Sequence, residues 1–432
     1  MTSPAENSGG RWREWLGLNA STFALLGAIL LVTASTELWS PLVPQYLKSL
    51  QRAALGGDPL VIVLIGLYGF YRDGLEALNY YAGGAIAARF NTRRALLTFN
   101  LLPLIGLAIL FFWQSRTAVF LAIPFVFVWD SLAGPAIVTV VGDSLPSDRR
   151  TMAFTLQSIF RRVSRMVAYG VGGLFLWQLG SVTGGVRANV AAAAALVIAA
   201  LVIQYRSMGV SSRDEQLASA RPREVLRQFN PDLRRLLISD IFARWAEGMA
   251  KPFIILFCVP LLAADVARGA ALYQSALLNI EAAVNVLLYL LIAPRASRAG
   301  LAKKPFIGLT FVFFAAFPIA LGVLGATLGA AGLYAAFVVA GCRELGEPAR
   351  KAMIADLVPA AMKTQSVGAY WAARGVAVMP AALVGAGLWL LGERVTPGAG
   401  ALWTFTAAGL LGAIGAGVFY SRFGRASPSV AS

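Results

Sequence analysis

Twelve long apolar segments constrain this chain more than any other feature. They run at approximately 22–46, 59–87, 95–114, 118–141, 151–179, 187–205, 236–262, 269–293, 306–328, 331–355, 364–391 and 401–420. A helix needs roughly 20 apolar residues to cross about 30 Å of hydrocarbon. Lipid offers no partner to a bare amide or carbonyl, so a single apolar run crosses it only as a helix. The expectation is an all-α integral membrane protein with twelve transmembrane helices. Composition agrees: 58% of the 432 residues are hydrophobic and 13% are charged, where a soluble domain carries about 25% charged residues.

One gap between segments is longer than the rest. "RSMGVSSRDEQLASARPREVLRQFNPDLRR", residues 206–235, is polar and mixed in charge, and reads as a solvated linker. It divides the chain into an N-terminal six-helix bundle (1–205) and a C-terminal six-helix bundle (236–432). The two parts resemble each other. "LAGPAIVTVVGDSLP" (132–146) matches "LGEPARKAMIADLVP" (345–359), with Leu132, Pro135, Ala136, Asp143 and Pro146 recurring as Leu345, Pro348, Ala349, Asp356 and Pro359. Near the same offset Glu37 meets Glu247, and Arg89 meets Arg298. Six spans separate the copies, an even number, so both copies face the same way. Parallel six-helix repeats with a site between them are a transporter architecture.

The net charge of +16 could suit a nucleic acid, but the basic residues do not cluster among aromatics on a polar face. Most sit in short loops. With both termini cytoplasmic, the cytoplasmic segments hold about 21 Lys and Arg and the opposite loops about 6. That bias places the chain in an inner (cytoplasmic) membrane, multi-pass. The polar start "MTSPAENSGGRWREW" is too long and too charged for a signal peptide.

Several chemistries are excluded by composition. The chain has no histidine, which removes His-based metal sites, Ser-His-Asp triads and Cys-His pairs. Its two cysteines, Cys258 and Cys342, lie in separate apolar segments without a metal or disulfide spacing. No phosphate-binding G-x-x-x-x-G-K-[ST] run occurs. The chain is thus expected to be no enzyme and to use no cofactor or nucleotide. Its partners are expected to be a small solute, protons and the lipid bilayer, with no nucleic acid, and it is expected to be monomeric.

The informative residues are the charges inside the spans. "SDIFARWAEGMAKPF" (239–253) carries Asp240, Arg244, Glu247 and Lys251 at i, i+4, i+7 and i+11. At about 100° per residue they share an arc of roughly 60° on one face. Glu37, Arg72, Asp73, Glu76, Asp130, Arg161, Arg162, Arg165, Glu281 and Arg374 lie in other spans, and "GCRELGEPARKAM" adds Arg343, Glu344, Glu347, Arg350 and Lys351. A charge facing lipid at mid-depth costs about 2.5–3.5 kcal/mol on insertion scales. These side chains must therefore face inward, toward water or one another, either to bind a solute and a proton or only to hold helices together.

The chain resembles the major facilitator superfamily of transporters over nearly its whole length. That family carries G-x-L-x-D-R-x-G-R-R between helices two and three; here "GAIAARFNTRR" keeps Gly84, Arg89, Arg93 and Arg94. Ala88 and Asn91 replace the family's Asp and Gly. In the second half "ASRAGLAKK" keeps Arg298, Gly300, Lys303 and Lys304, with Ser297 at the acid's place. The resemblance implies a cytoplasmic gating motif at Gly84, Arg89, Arg93, Arg94, Arg298 and Gly300, without the family's acidic latch. It also implies a central cavity lined mainly by helices one, four, seven and ten. Glu37, Arg72, Asp130, Arg161, Arg244, Glu247, Glu281, Arg343, Glu347 and Arg374 are the residues expected there, for substrate or coupling. Glu37 and Glu247 are the first candidates to carry a proton, because burial and a nearby Arg move a carboxylate pKa in opposite directions. The implied function is secondary active transport of a small polar or anionic solute by alternating access, coupled to protons. The alternatives are an exporter of drugs or hydrophobic solutes, and a membrane scaffold or sensor that does not transport.

Overall fold

The computed structural model describes the backbone of residues 20–50, 58–89, 92–127, 147–207, 222–296, 304–358 and 363–422. Every regular element among them is helical. In chain order these are α1 (Ala20–Trp39), a 3-10 turn (Ser40–Leu42), α2 (Val43–Ser49), α3 (Asp58–Arg89), α4 (Thr92–Phe112), α5 (Arg116–Val126), α6 (Ser147–Leu179) and α7 (Val182–Ser207). The second half continues with α8 (Pro222–Arg227), α9 (Pro231–Leu262), α10 (Val266–Leu272), a π-turn (Tyr273–Leu277) and α11 (Leu278–Ala296). It closes with α12 (Lys304–Leu328), α13 (Ala330–Cys342), α14 (Glu347–Leu357), α15 (Lys363–Val378), α16 (Ala381–Val395) and α17 (Gly400–Arg422).

Local chemistry sets several of these boundaries. Asn230 caps α9: its side chain accepts from the Leu233 N–H at 2.7 Å, and Pro231 follows as the first helical residue. Ser115 and Asp265 cap α5 and α10 in the same way, at 3.0 Å and 2.8 Å. Pro41 and Pro44, neither of which can donate to a helical ladder, coincide with the 3-10 turn that interrupts the first apolar segment. The tenth breaks at residues 343–346 and the eleventh at Met379–Pro380. These interruptions divide segments that the sequence reads as continuous.

Among the described residues, six segments are long and apolar enough to cross a membrane: Val182–Arg206, Pro231–Leu262, Val266–Leu291, Lys304–Leu328, Ser366–Val395 and Gly400–Ser421. They fit a multi-pass membrane protein. The long helices α3 and α6 fall outside that group because each carries charge in its middle, Arg72, Asp73 and Glu76 on the first and Arg161, Arg162 and Arg165 on the second. The outer surface is apolar: Phe112, Val167, Leu290 and Leu410 all stand exposed, as a lipid-facing surface requires.

Within the first half α1 packs on α6 and α7, and α4 on α5 and α7; within the second, α9 and α12 both pack on α17. The halves meet along two seams, α3 against α15 and α16, and α6 against α10, the π-turn and α11. Small residues set the first seam. A Cβ on Gly69 would stand 2.5 Å from the Ala382 Cβ, one on Gly66 2.7 Å from that of Ala386, and one on Gly375 2.8 Å from that of Ala77. Gly172 and Gly173 do the same at the second seam, where a Cβ would meet Gln274 and Ser275 at 2.5 Å and 2.6 Å.

The last part of the stretch read as a linker is structured. α8 lies in it, and Val225 and Phe229 are buried in a cluster with Leu236, Phe311, Tyr370 and Phe419. The Asn230 side-chain amide donates to the Leu357 carbonyl at 3.0 Å. Residues 222–235 therefore pack with the second half.

Candidate functional site

Where the seams leave room between the halves, a cavity of about 310 Å³ opens. Five carboxylates line it (Glu37, Glu76, Glu247, Glu281 and Glu344), together with five cations (Arg72, Arg162, Arg165, Lys251 and Arg343). Tyr68, Tyr169 and Tyr273 stand among them. Most of these residues sit near the middle of long helices: Arg72 and Glu76 on α3, Arg162 and Arg165 on α6, Glu247 on α9. The cavity thus lies near the middle of these helices, where in a membrane-spanning segment unpaired charge is costly.

The charges satisfy one another in close pairs. Arg165 holds Glu37 at 2.9 Å, and the Tyr169 hydroxyl donates to the same carboxylate at 2.9 Å. Arg343 holds Glu281 at 2.7 Å and lies over the Phe317 ring, 4.4 Å from its centroid. Arg72 pairs with its neighbour Asp73 at 2.8 Å and faces the Tyr68 and Phe127 rings. Arg162, from the first half, reaches Glu344, from the second, at 3.0 Å.

A second charge network lies behind the cavity, inside the second half. Asp240 and Arg350 are each 1% exposed and are ion-paired. Asp240 also receives Arg374 and the Tyr370 hydroxyl, both at 3.2 Å. Arg350 donates from Nε to Glu347 at 2.9 Å. The α9 stripe joins this network to the cavity: Arg244 holds Glu247 at 2.6 Å and has Glu347 at 3.6 Å and Asp240 at 3.9 Å. Its guanidinium lies over Phe314, and Arg343 lies over the same ring. Phe314 thus stands between a cavity cation and a network cation.

Of the residues that the sequence assigns to the cavity, Glu37, Arg72, Glu247, Glu281 and Arg343 line it. Arg244, Glu347 and Arg374 do not; they belong to the buried network. Helical spacing places Arg244 on one face with Glu247, but its long side chain turns into the second half toward Glu347 and Phe314. Arg161 is half-buried on α6 and is likewise not a lining residue. Asp130 lies outside the described residues, as do Arg298 and Gly300. Gly84 and Arg89 fall at the end of α3, and Arg93 and Arg94 at the start of α4.

Five further lining charges, Glu76, Arg162, Arg165, Lys251 and Glu344, are among those the sequence reads as facing inward but not among the ten it assigns to the cavity. Their signal was present, since each is a charge inside an apolar segment. Gln274 was missed altogether. It is fully buried at the second seam, and its amide donates to the Leu38 carbonyl at 2.6 Å. A lone Gln in "ALYQSALL" was the available signal.

The helix order, the two packed halves and the cavity between them define a class: this is the fold of the major facilitator superfamily transporters. The solved structures that it resembles include the nucleoside transporter NupG (TM-score 0.67, 16% identity, covering 95% of this chain and 100% of that one). An auto-inhibited POT family peptide transporter gives a TM-score of 0.72 at 14% identity, over 96% of this chain and 99% of that one. A POT family transporter in complex with 5-aminolevulinic acid gives 0.67 at 15% identity, over 91% and 94%. No protein-family model and no curated protein sequence matches the chain. At these identities the likeness establishes the fold, and function must be argued from the site.

Proposed function

We propose that the protein is a secondary active transporter that carries a small polar or anionic solute across an inner (cytoplasmic) membrane by alternating access. In this reading twelve spans form two six-helix halves, both termini are cytoplasmic, and transport is coupled to protons. The observation that carries it is the cavity near the middle of the long helices, lined from both halves by five carboxylates and five cations. A hydrophobic solute would strip water from these groups and return no hydrogen bonds, which is costly. A polar solute can replace the water. The similar solved structures include transporters of nucleosides and peptides and one holding 5-aminolevulinic acid.

Alternating access requires contacts that break as the halves rock. Arg162–Glu344 spans the halves at the cavity wall and must part when that side opens. Glu247 supplies the coupling proton site. Arg244, Lys251 and Arg343 are the cations that face it. A proton on Glu247 removes the charge that holds Arg244, and Arg244 then turns toward Glu347 and Asp240, already within 4 Å. Glu37, held by Arg165 and Tyr169, is the corresponding acid in the first half.

The test is solute flux in proteoliposomes with and without an imposed pH gradient. Gradient-driven uptake of a polar solute supports the proposal. Flux indifferent to the gradient removes the coupling, and absence of flux for every polar solute tried removes the transporter reading. Labelling of Ser211→Cys only after the inner face is exposed would support the orientation; labelling from outside would reverse it.

A further inference from the structure

Ten carboxylate, guanidinium or ammonium side chains among the described residues line the cavity. Eight of them sit in ion pairs of 3.0 Å or less, six with one another (Glu37–Arg165, Glu281–Arg343 and Glu344–Arg162) and two with Asp73 or Arg244. The remaining two are Glu76 on α3 and Lys251 on α9. They come from opposite halves and carry opposite charge.

Glu76 accepts a hydrogen bond from Tyr80 at 3.1 Å and has no cation within ion-pair distance among the described residues. The charged groups that act on it from further away are Asp73, Arg72, Lys251 and Arg374. Arg72 and Arg374 are each committed to an aspartate, at 2.8 Å and 3.2 Å. Lys251 is the most exposed cation of the cavity, with 56% of its side chain accessible. Its nearest carboxylate oxygen, on Glu247, is 3.8 Å away, and that carboxylate is already held by Arg244 at 2.6 Å. The cavity therefore presents one carboxylate with no ion pair among the described residues, Glu76, and one ammonium group, on Lys251, whose long 3.8 Å contact is to an acid already held by Arg244.

We infer that the solute is a zwitterion, with an ammonium group received by Glu76 and a carboxylate received by Lys251. This rests on the transporter reading of the same cavity. The sign of each group decides against the alternatives. A simple anion would meet Lys251 but leave Glu76 facing like charge. A simple cation would meet Glu76 and repel Lys251. A neutral solute would strip water from both groups and return no charge to Glu76 and nothing beyond the long Glu247 contact to Lys251, a costly exchange. A zwitterion satisfies both, and because the two groups sit on different halves, its arrival draws the halves together.

The test is calorimetric titration of the purified full chain with L-alanine and L-alanyl-L-alanine, their N-acetylated and C-amidated forms, succinate and uridine. A zwitterion should bind at least about tenfold tighter than either blocked form. Glu76→Gln should abolish the penalty for N-acetylation alone, and Lys251→Met the penalty for amidation alone. Glu76→Asp should keep the wild-type ranking, which separates charge recognition from misfolding. Equal binding of parent and blocked forms overturns the inference, as does uniform weakening of all ligands in both variants. Binding of succinate or uridine without the zwitterions overturns it and leaves the transporter reading intact. Failure to bind or carry any of these solutes removes both.

Discussion

Arg162 on α6 and Glu344 in the turn after α13 meet at 3.0 Å across the boundary between the two halves of the chain. Both are about four-fifths buried, so neither is well hydrated when its partner leaves. Removing one partner of a buried pair typically costs about 3–5 kcal/mol. Arg162→Ala and Glu344→Ala should each lower the melting temperature of the purified protein. The double variant should be less destabilised than the sum, with a coupling energy on the order of 0.5–3 kcal/mol. A thermal-unfolding double-mutant cycle checks this, and strict additivity would show that the contact carries no coupling.

Glu247 and Asp240 share a helix face but not an environment. Glu247 lines the cavity, and Asp240 is enclosed by Arg350, Arg374 and Tyr370. Glu247→Gln should abolish gradient-driven flux with the fold retained. Asp240→Asn should act on stability, at about 3–5 kcal/mol for two guanidiniums left short of their anion. Flux in proteoliposomes and thermal unfolding, measured on both variants, separate the roles. A Glu247→Gln protein with full gradient-driven flux would remove the coupling assignment.

Gly69 packs so close to Ala382 that an added Cβ would lie 2.5 Å from the Ala382 Cβ. Alanine is the better helix former by about 1 kcal/mol, yet overpacking a close contact costs about 1–3 kcal/mol. Gly69→Ala should therefore be neutral to destabilising, although an exposed helical glycine would gain. Adding Ala382→Gly should restore the lost stability and any lost flux. Failure of that rescue would show that the seam does not limit the substitution.

Gln274 donates to the Leu38 carbonyl at 2.6 Å, and its Oε1 has no hydrogen-bond partner among the described residues. Gln274→Ala removes the seam-spanning bond, a loss of about 0.5–1.5 kcal/mol. Gly172→Ala should mimic it by crowding, since a Cβ there meets the Gln274 amide at 2.5 Å. Both variants should increase labelling of a cysteine introduced at Ser275, beside the seam. Unchanged labelling in both would deny Gln274 a role in keeping that seam shut.

The sequence made the helical class and the positions of the buried charges legible, because lipid imposes a length and a composition on every span. It did not make the pairing legible. Spacing within one helix found Arg244 with Glu247, but nothing local links Glu37 to Arg165, 128 positions away by subtraction, at 2.9 Å. Of the arginines on α6 the sequence assigned Arg161 to the cavity, whereas Arg162 and Arg165 line it instead. The π-turn of residues 273–277 was not legible either; it carries Gln274, whose partner lies in the other half.

The two seams are mechanically unequal. Along α3 and α16 the contact is made by Gly66, Gly69, Ala382 and Ala386, whose short side chains present an almost toothless surface. Along α6 and the π-turn one long side chain, Gln274, engages the other half like a pawl in a ratchet wheel. A torque between the halves therefore meets low friction on one flank and a discrete catch on the other. If the halves rock as proposed, the pivot would form along the smooth flank, and each swing would wait on release of the Gln274 amide together with the Arg162–Glu344 pair on the other.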